Sequence, residues 1–228
     1  MINKNSGFTL VELLISISIL SMLLFTGTYA YQTLSNRWDK SLTKFDDVYK
    51  VGKNVNLLRD ILTATYPSII FDLSVEPKKP TFFFEGSESR LLSITRSGLL
   101  KKVYPEIYRI LITENRNEKF NLVYQTSSSN EILLTAQQEI IFDKTIILLE
   151  DLDSAKFSYY GWDSVLQKGN SQDNGSGATW RESFSAIDNQ LLPNKIKVDI
   201  QYEGKSLQFL VGLDQDSLRY LSAYIKEG

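Results

Sequence analysis

The chain has 228 residues, 25 of them basic and 27 acidic, with a formal net charge of −2, so its length suits one ordinary domain and its charge offers no basic footprint for nucleic acid. It contains no cysteine and no histidine, which excludes disulfides, thiolate metal sites and the Ser-His-Asp and Cys-His catalytic systems. We therefore expect no enzyme, no cofactor, no metal and no nucleic-acid partner.

A short polar head precedes a long apolar run at the amino end. Residues 1–7 read MINKNSG and contain one basic residue, Lys4, whereas from Phe8 to Tyr31 the only charged side chain is Glu12. About 20 apolar residues suffice for a helix to cross the hydrocarbon core. The positive-inside rule places Lys4 in the cytoplasm, so the sequence predicts a transmembrane segment at 8–31 with the bulk of the chain outside.

Three hypotheses account for this segment. The first is an ordinary signal peptide cut after Ala30, and the second is an uncleaved anchor in which Glu12 is an interfacial carboxylate. The third is removal of residues 1–7 as a leader, which creates an amino group at Phe8, one helical turn from Glu12. A carboxylate near the centre of a membrane helix costs about 2.5–3.5 kcal/mol. Only the third hypothesis gives Glu12 a partner, namely the new amine of a neighbouring subunit in a filament.

The stretch KNSGFTLVELL, residues 4–14, resembles the processing motif of type IV prepilins and pseudopilins. The resemblance implies that a prepilin peptidase of the inner membrane cleaves between Gly7 and Phe8. It also implies that Phe8 is then N-methylated and that Glu12 acts in filament assembly.

From Gln32 onward, apolar residues recur at steps of three and four with charged residues between them. This spacing predicts an amphipathic helix over 32–66 that continues the membrane helix as far as Pro67. A helix from Phe8 to about Thr65 would be about 85 Å long at 1.5 Å per residue, which exceeds the thickness of a bilayer. The apolar positions are Leu34, Trp38, Leu42, Phe45, Val48, Gly52, Val55, Leu58 and Leu62.

After Pro67 the pattern changes to short β-branched and aromatic runs separated by turn residues. It predicts an α+β, pilin-like fold in which the long amino-terminal helix packs on antiparallel β-sheet, with residues 67–228 as the domain outside the membrane. A closing helix is predicted over Asp214–Lys226, with Asp214 as its cap. Strands are predicted near Ile69–Val75, Thr81–Phe84, Leu91–Thr95, Tyr108–Thr113, Phe120–Gln125, Ile132–Thr135, Ile146–Leu149, Ala155–Tyr160, Lys195–Tyr202 and Ser206–Leu213.

Several polar and aromatic groups admit a binding role. The loop Asp163–Gly177 contains Asp163, Asp173 and Asn174, but it lacks the spacing and the closing glutamate of a calcium loop, so we expect a solvated loop. Acidic clusters at Asp46–Asp47 and at Glu150, Asp151 and Asp153 fit surface charges. Trp162 and Trp180 fit either stacking on a ligand or packing in the core.

The carboxyl half carries four stretches in an order that resembles the minor pseudopilin J of type II secretion. This resemblance implies a low-copy subunit at the tip of a periplasmic pseudopilus. Its partners would be the pseudopilins I and K and, beyond them, exported proteins, and it would help to initiate assembly. The stretches are LLEDL at 148–152, FSYY at 157–160, WRES at 180–183 and LPNKIKV at 192–198.

Two other functions remain open from the sequence. A minor pilin of a type IV pilus or of a DNA-uptake filament would carry the same amino-terminal motif. A membrane-anchored periplasmic binding module would use Trp162, Trp180 and the glycine-rich loop Lys168–Ala178 as its site.

Overall fold

The computed structural model of the chain describes residues 9–99, 105–127, 133–170, 177–214 and 216–225, apart from the side chains of 39–48, 223 and 225. The chain divides into two compact units, Met1–Gly52 and Lys53–Gly228. The first is helical and the second is rich in β-sheet.

The helix α1, Leu10–Thr63, forms the described part of the first unit and the start of the second. The sequence predicts one helix from Phe8 to about Thr65, and the structure confirms a single helix over Leu10–Thr63. No proline interrupts this run before Pro67. Because the residue before a proline is driven away from helical backbone, the helix ends just ahead of it.

Six hydroxyl side chains in the apolar part of α1 hydrogen-bond to the helix that carries them. Each donates to the carbonyl oxygen four residues earlier, at 2.7–2.9 Å. Such bonds satisfy polar groups where no water is available. The six are Ser16, Ser18, Ser21, Thr26, Thr28 and Thr33.

The described part of the second unit holds twelve strands in three antiparallel sheets. β1 and β2 form a ribbon. The larger sheet has the order β10-β3-β4-β5-β6-β7, and the smaller has the order β12-β11-β8-β9. The strands are β1 Ile69–Asp72, β2 Lys79–Phe82, β3 Phe84–Gly86, β4 Arg90–Thr95, β5 Glu106–Glu114, β6 Phe120–Thr126, β7 Lys144–Leu152, β8 Ser154–Gly161, β9 Thr179–Arg181, β10 Phe184–Ser185, β11 Lys195–Tyr202 and β12 Lys205–Gly212; the short helices are α2 Val165–Asn170, α3 Ala186–Asn189 and α4 Leu218–Ile225.

The last turns of α1 belong to the core of this unit. Leu58, Ile61 and Leu62 are buried, and the Asn54 side chain donates to the backbone carbonyl of Leu148 on β7 at 2.7 Å. Helix and sheet are therefore joined both by apolar burial and by a hydrogen bond. The predicted α+β class is confirmed.

A pair of stacked, buried tyrosines projects from the neighbouring strands β5 and β6 of the large sheet. Tyr108 and Tyr124 face each other with ring centroids 5.8 Å apart, and the Tyr108 hydroxyl shares a 2.7 Å hydrogen bond with Thr65 at the end of α1. Burial raises the pKa of both phenols above the usual range. The pair therefore stays neutral and holds the end of α1 against the sheet.

Two of the strand predictions are wrong in detail. Phe82, Phe83 and Phe84 are all buried, because the chain leaves the ribbon and enters the large sheet at Phe83; the single predicted strand is therefore two strands. The strand predicted up to Thr135 is a single parallel bridge between Thr135 and Phe71, and its first residue, Ile132, lies outside the described residues.

The sequence pattern also missed short elements and misplaced one cap. β9 and β10 have only three and two residues, which is too short for a period-2 pattern to be read. The closing helix begins at Leu218. The Asp214 carboxylate instead accepts a bond from the Asp216 backbone N–H at 3.0 Å, so it does not cap the helix.

Candidate functional site

The site that the sequence singles out lies where α1 begins. Thr9 precedes the first helical residue, Leu10, and Glu12 falls in the first turn. The Thr9 backbone N–H and hydroxyl both donate to Glu12 Oε2, at 3.0 and 2.9 Å. In return, the Glu12 backbone N–H donates to Thr9 Oγ1 at 3.3 Å. These reciprocal bonds define a capping box.

The capping box gives the Glu12 carboxylate a local partner in the uncleaved chain. It satisfies two N–H groups that a helix end leaves without intrahelical partners, and it places a negative charge at the positive end of the helix dipole. The side chain remains exposed. Glu12 is therefore held in a defined position from which another donor can reach it.

Thr9 is a site residue that the sequence analysis passed over. The signal was present, because a threonine followed three residues later by glutamate before an apolar run is a known start signal for a helix. Gly7 and Phe8, the predicted cleavage and methylation residues, lie outside the described residues. Of the predicted site residues, the structure thus describes only Glu12, and it brings that residue together with Thr9.

The helix behind the capping box is long and apolar enough to cross a membrane from Leu10 to Trp38, with a mean hydropathy of 2.1. None of this span is buried in the structure. A helix that is apolar all round and exposed requires lipid or other helices as its surroundings. This segment therefore fits membrane anchoring.

The two tryptophans considered for ligand binding have different surroundings. Trp162 is only 8% exposed, and the Lys168 ammonium lies 5.3 Å from its ring centroid, so Trp162 is a packing residue. Trp180 is 45% exposed on β9. Asp163 pairs with Arg181, while Asp173 and Asn174 lie outside the described residues. Of the two tryptophans, only Trp180 therefore presents its ring to solvent.

A polar cleft of about 510 Å³ lies between β3, β10 and the region of β9. Both arginines that line it lie beside a carboxylate: Arg181 pairs with Asp163, and Arg90 lies 3.8 Å from Glu85. Both guanidinium charges therefore already face a carboxylate, although the buried Arg181 Nε donates no hydrogen bond within the described residues. The remaining lining includes the hydroxyls of Ser87, Ser183 and Ser185.

The amino-terminal residues match a known family model. Residues 2–27 match the prokaryotic N-terminal methylation motif, a range that includes Gly7, Phe8, Thr9 and Glu12. No curated protein and no solved structure matches the chain. Together with the exposed apolar helix behind it, this motif indicates that the chain is a type IV pilin-like protein, a pilin or a pseudopilin.

Proposed function

We propose that this protein is a minor pseudopilin of a type II secretion system, a structural subunit that helps to initiate the pseudopilus and resides at its tip. The observation that carries the proposal is the Glu12 carboxylate, held at the start of an exposed apolar helix within the methylation motif. In this proposal residues 1–7 are the leader, 8–31 span the inner membrane, and 67–228 lie in the periplasm.

Leader removal would change the partners of Glu12. Cleavage after Gly7 creates an amine at Phe8, and N-methylation leaves that amine able to carry a positive charge. The hydrogen bonds that now hold Glu12 come from a neutral hydroxyl and a neutral backbone N–H. Those bonds are already charge-assisted because the carboxylate is ionised, but an ammonium donor adds a direct charge–charge attraction, which is large where the dielectric constant is low. The amine of an adjacent subunit therefore competes well for the carboxylate and fixes the register between subunits.

The assignment to the J type of pseudopilin is supported by the carboxyl half. The four stretches that resemble that family fall on β7, β8, the β9 region and the entry to β11. Three of these strands, β8, β9 and β11, are neighbours in the smaller sheet. The expected partners are the pseudopilins I and K and the prepilin peptidase.

The intact mass of protein extracted from membranes tests the amino-terminal half of the proposal. We expect the mass of residues 8–228 plus one methyl group. A mature chain that begins at Tyr31, or an unprocessed chain, would contradict it.

Deletion of the gene tests the type of filament. A pseudopilin is expected to be required for protein secretion while surface pili remain. Loss of pili or of DNA uptake with secretion intact would instead identify a minor pilin. If the deletion affects neither secretion nor piliation, the binding-module hypothesis is favoured.

A further inference from the structure

The solvent face of the smaller sheet carries a cluster of aromatic rings and lysines. Trp180 on β9 lies opposite Tyr160 on β8, and their ring centroids are 5.3 Å apart. Tyr160 in turn lies opposite Lys195 on β11. Lys197 lies opposite Leu210 on the edge strand β12. Residues directly opposite in antiparallel strands share a face, so these five residues form one surface, here called the aromatic–lysine face.

Both lysines contact the rings. The Lys195 ammonium is 5.8 Å from the Tyr160 centroid, and the Lys197 ammonium is 5.4 Å from the Trp180 centroid. Lys197 also pairs with Asp199 at 3.3 Å. For Lys195 the described residues provide a ring contact and no ion pair. The face therefore presents aromatic surface beside at least one cation that is available to a carboxylate.

The exposure of this face is not explained by the fold. The opposite side of β11 is buried through Ile196, Val198 and Ile200, so the sheet has its core on that side. Trp180 and Leu210 are nevertheless 45% and 51% exposed on the outer side. Tryptophan and tyrosine are among the residues that dominate binding energy at protein interfaces.

The composition of the face selects the class of partner. A base or a sugar ring can stack on Trp180, and a phosphate or carboxylate can accept hydrogen bonds from Lys195. A nucleotide or an acidic sugar could supply such a ring and such an anion, but neither carries a large apolar side chain that could pack on Leu210, which lies on β12 beyond the lysines. A protein segment can present carboxylates and a large apolar side chain together, spaced to reach both groups.

We propose that the aromatic–lysine face is a docking surface for an acidic segment of a partner protein that also carries a large apolar side chain. The inference rests on the proposed function only in taking that partner to be another subunit of the assembly. A carboxylate of the segment accepts a hydrogen bond from Lys195, while its apolar side chain packs between Leu210 and the rings.

A peptide-binding experiment tests this surface with the full-length protein in lipid nanodiscs. The probe is a synthetic peptide of glutamate and leucine; two control peptides replace either every glutamate by glutamine or every leucine by serine. We expect the glutamate–leucine peptide to bind at least tenfold more tightly than either control. Empty nanodiscs correct for binding to lipid.

Matched variants locate the binding. Lys195→Glu and Leu210→Ala should each weaken the peptide at least about fivefold. Lys205→Glu and Leu207→Ala make the same changes at exposed positions of β12 that alternate with Leu210 and so lie on the other face of the sheet. These two variants should leave binding unchanged.

Equal effects in the two pairs of variants, or equal affinity for all three peptides, would overturn the proposal. Tighter binding of an oligothymidylate or an oligogalacturonate would do so as well, by assigning the face to another class of ligand. These outcomes are independent of leader cleavage, methylation and secretion, so failure here is distinguishable from failure of the proposed function.

Discussion

Substitutions at Glu12 and Thr9 can separate the role of the carboxylate in capping from its role as a charge. Both donors from Thr9 reach the same oxygen, Glu12 Oε2. In Glu12→Gln the amide oxygen can accept both bonds, so the cap is retained while the charge is lost. Thr9→Val removes the hydroxyl but keeps the carboxylate and the Thr9 backbone N–H. The two variants therefore change different properties of one site.

The two substitutions should differ enough in free-energy cost for their effects on assembly to be distinguished. Loss of a helix cap costs about 1 kcal/mol, which the rest of a long membrane helix tolerates. Leaving one member of a desolvated ion pair without its partner costs several times more than loss of a cap, so we expect subunit association to weaken roughly a hundredfold or more. We therefore expect Thr9→Val to assemble nearly normally, and Glu12→Gln to be processed but to be largely absent from filaments. Glu12→Ala should resemble Glu12→Gln in assembly.

Two measurements on the same membranes check this prediction. The intact mass reports leader removal and methylation, and the fraction that sediments with sheared filaments reports assembly. If Glu12→Gln enters filaments as well as the unaltered protein does, pairing with an amine is not the role of this carboxylate. If Thr9→Val fails as severely as Glu12→Gln, the cap rather than the charge is what assembly requires.

Three further changes test the processing site and the fold. Gly7→Ala should impair leader removal, seen by intact mass as accumulation of the full-length chain. Gly86→Ala should destabilise the second unit by about 1–3 kcal/mol, because its Cβ would lie 2.2 Å from the ring of buried Tyr159. Urea unfolding measures this change. Gly212→Ala is the control, since nothing lies within 4 Å of a Cβ at that position. Hydrogen bonds from a backbone N–H and a lysine lower the pKa of Asp153. Its contribution to stability is therefore present above the unfolded carboxyl pKa of about 3.9 and is lost as pH falls through the lowered folded value. In Asp153→Asn the urea midpoint of unfolding should fall less steeply with decreasing pH over this range.

The main elements of the fold follow from local sequence patterns. A continuous apolar and then amphipathic period predicted α1, and alternation of apolar and polar residues predicted the longer strands such as β11 and β12. Where the chain passes from one sheet to another, as at Phe83, both neighbours are buried and alternation disappears. β9 has only three residues and exists because it pairs with β8, a long-range contact that no local pattern encodes.

In the candidate site, too, the features that depend on local sequence were predicted and those that depend on long-range contacts were not. The position of Glu12 in an apolar run and its spacing from Gly7 are local features, and they predicted a functional carboxylate. Trp162 is buried with Lys168 of α2 over its ring, whereas Trp180 is exposed on β9. Such contacts are not encoded in the local pattern, so the sequence left both as candidates. Asp153 was interpreted as a surface charge, yet it bonds Lys119 and the Gly204 backbone N–H, residues that are distant in sequence.

The hydroxyls along α1 bear on how such a helix can move between environments. Each of the six donates to a carbonyl of its own helix, so none requires a donor or acceptor from lipid or from another subunit. In the proposed assembly, transfer of the helix from bilayer to filament would therefore break no side-chain hydrogen bond at these six positions. The free-energy difference between the two locations then depends on packing and on the pairing of Glu12, and not on these six hydroxyls.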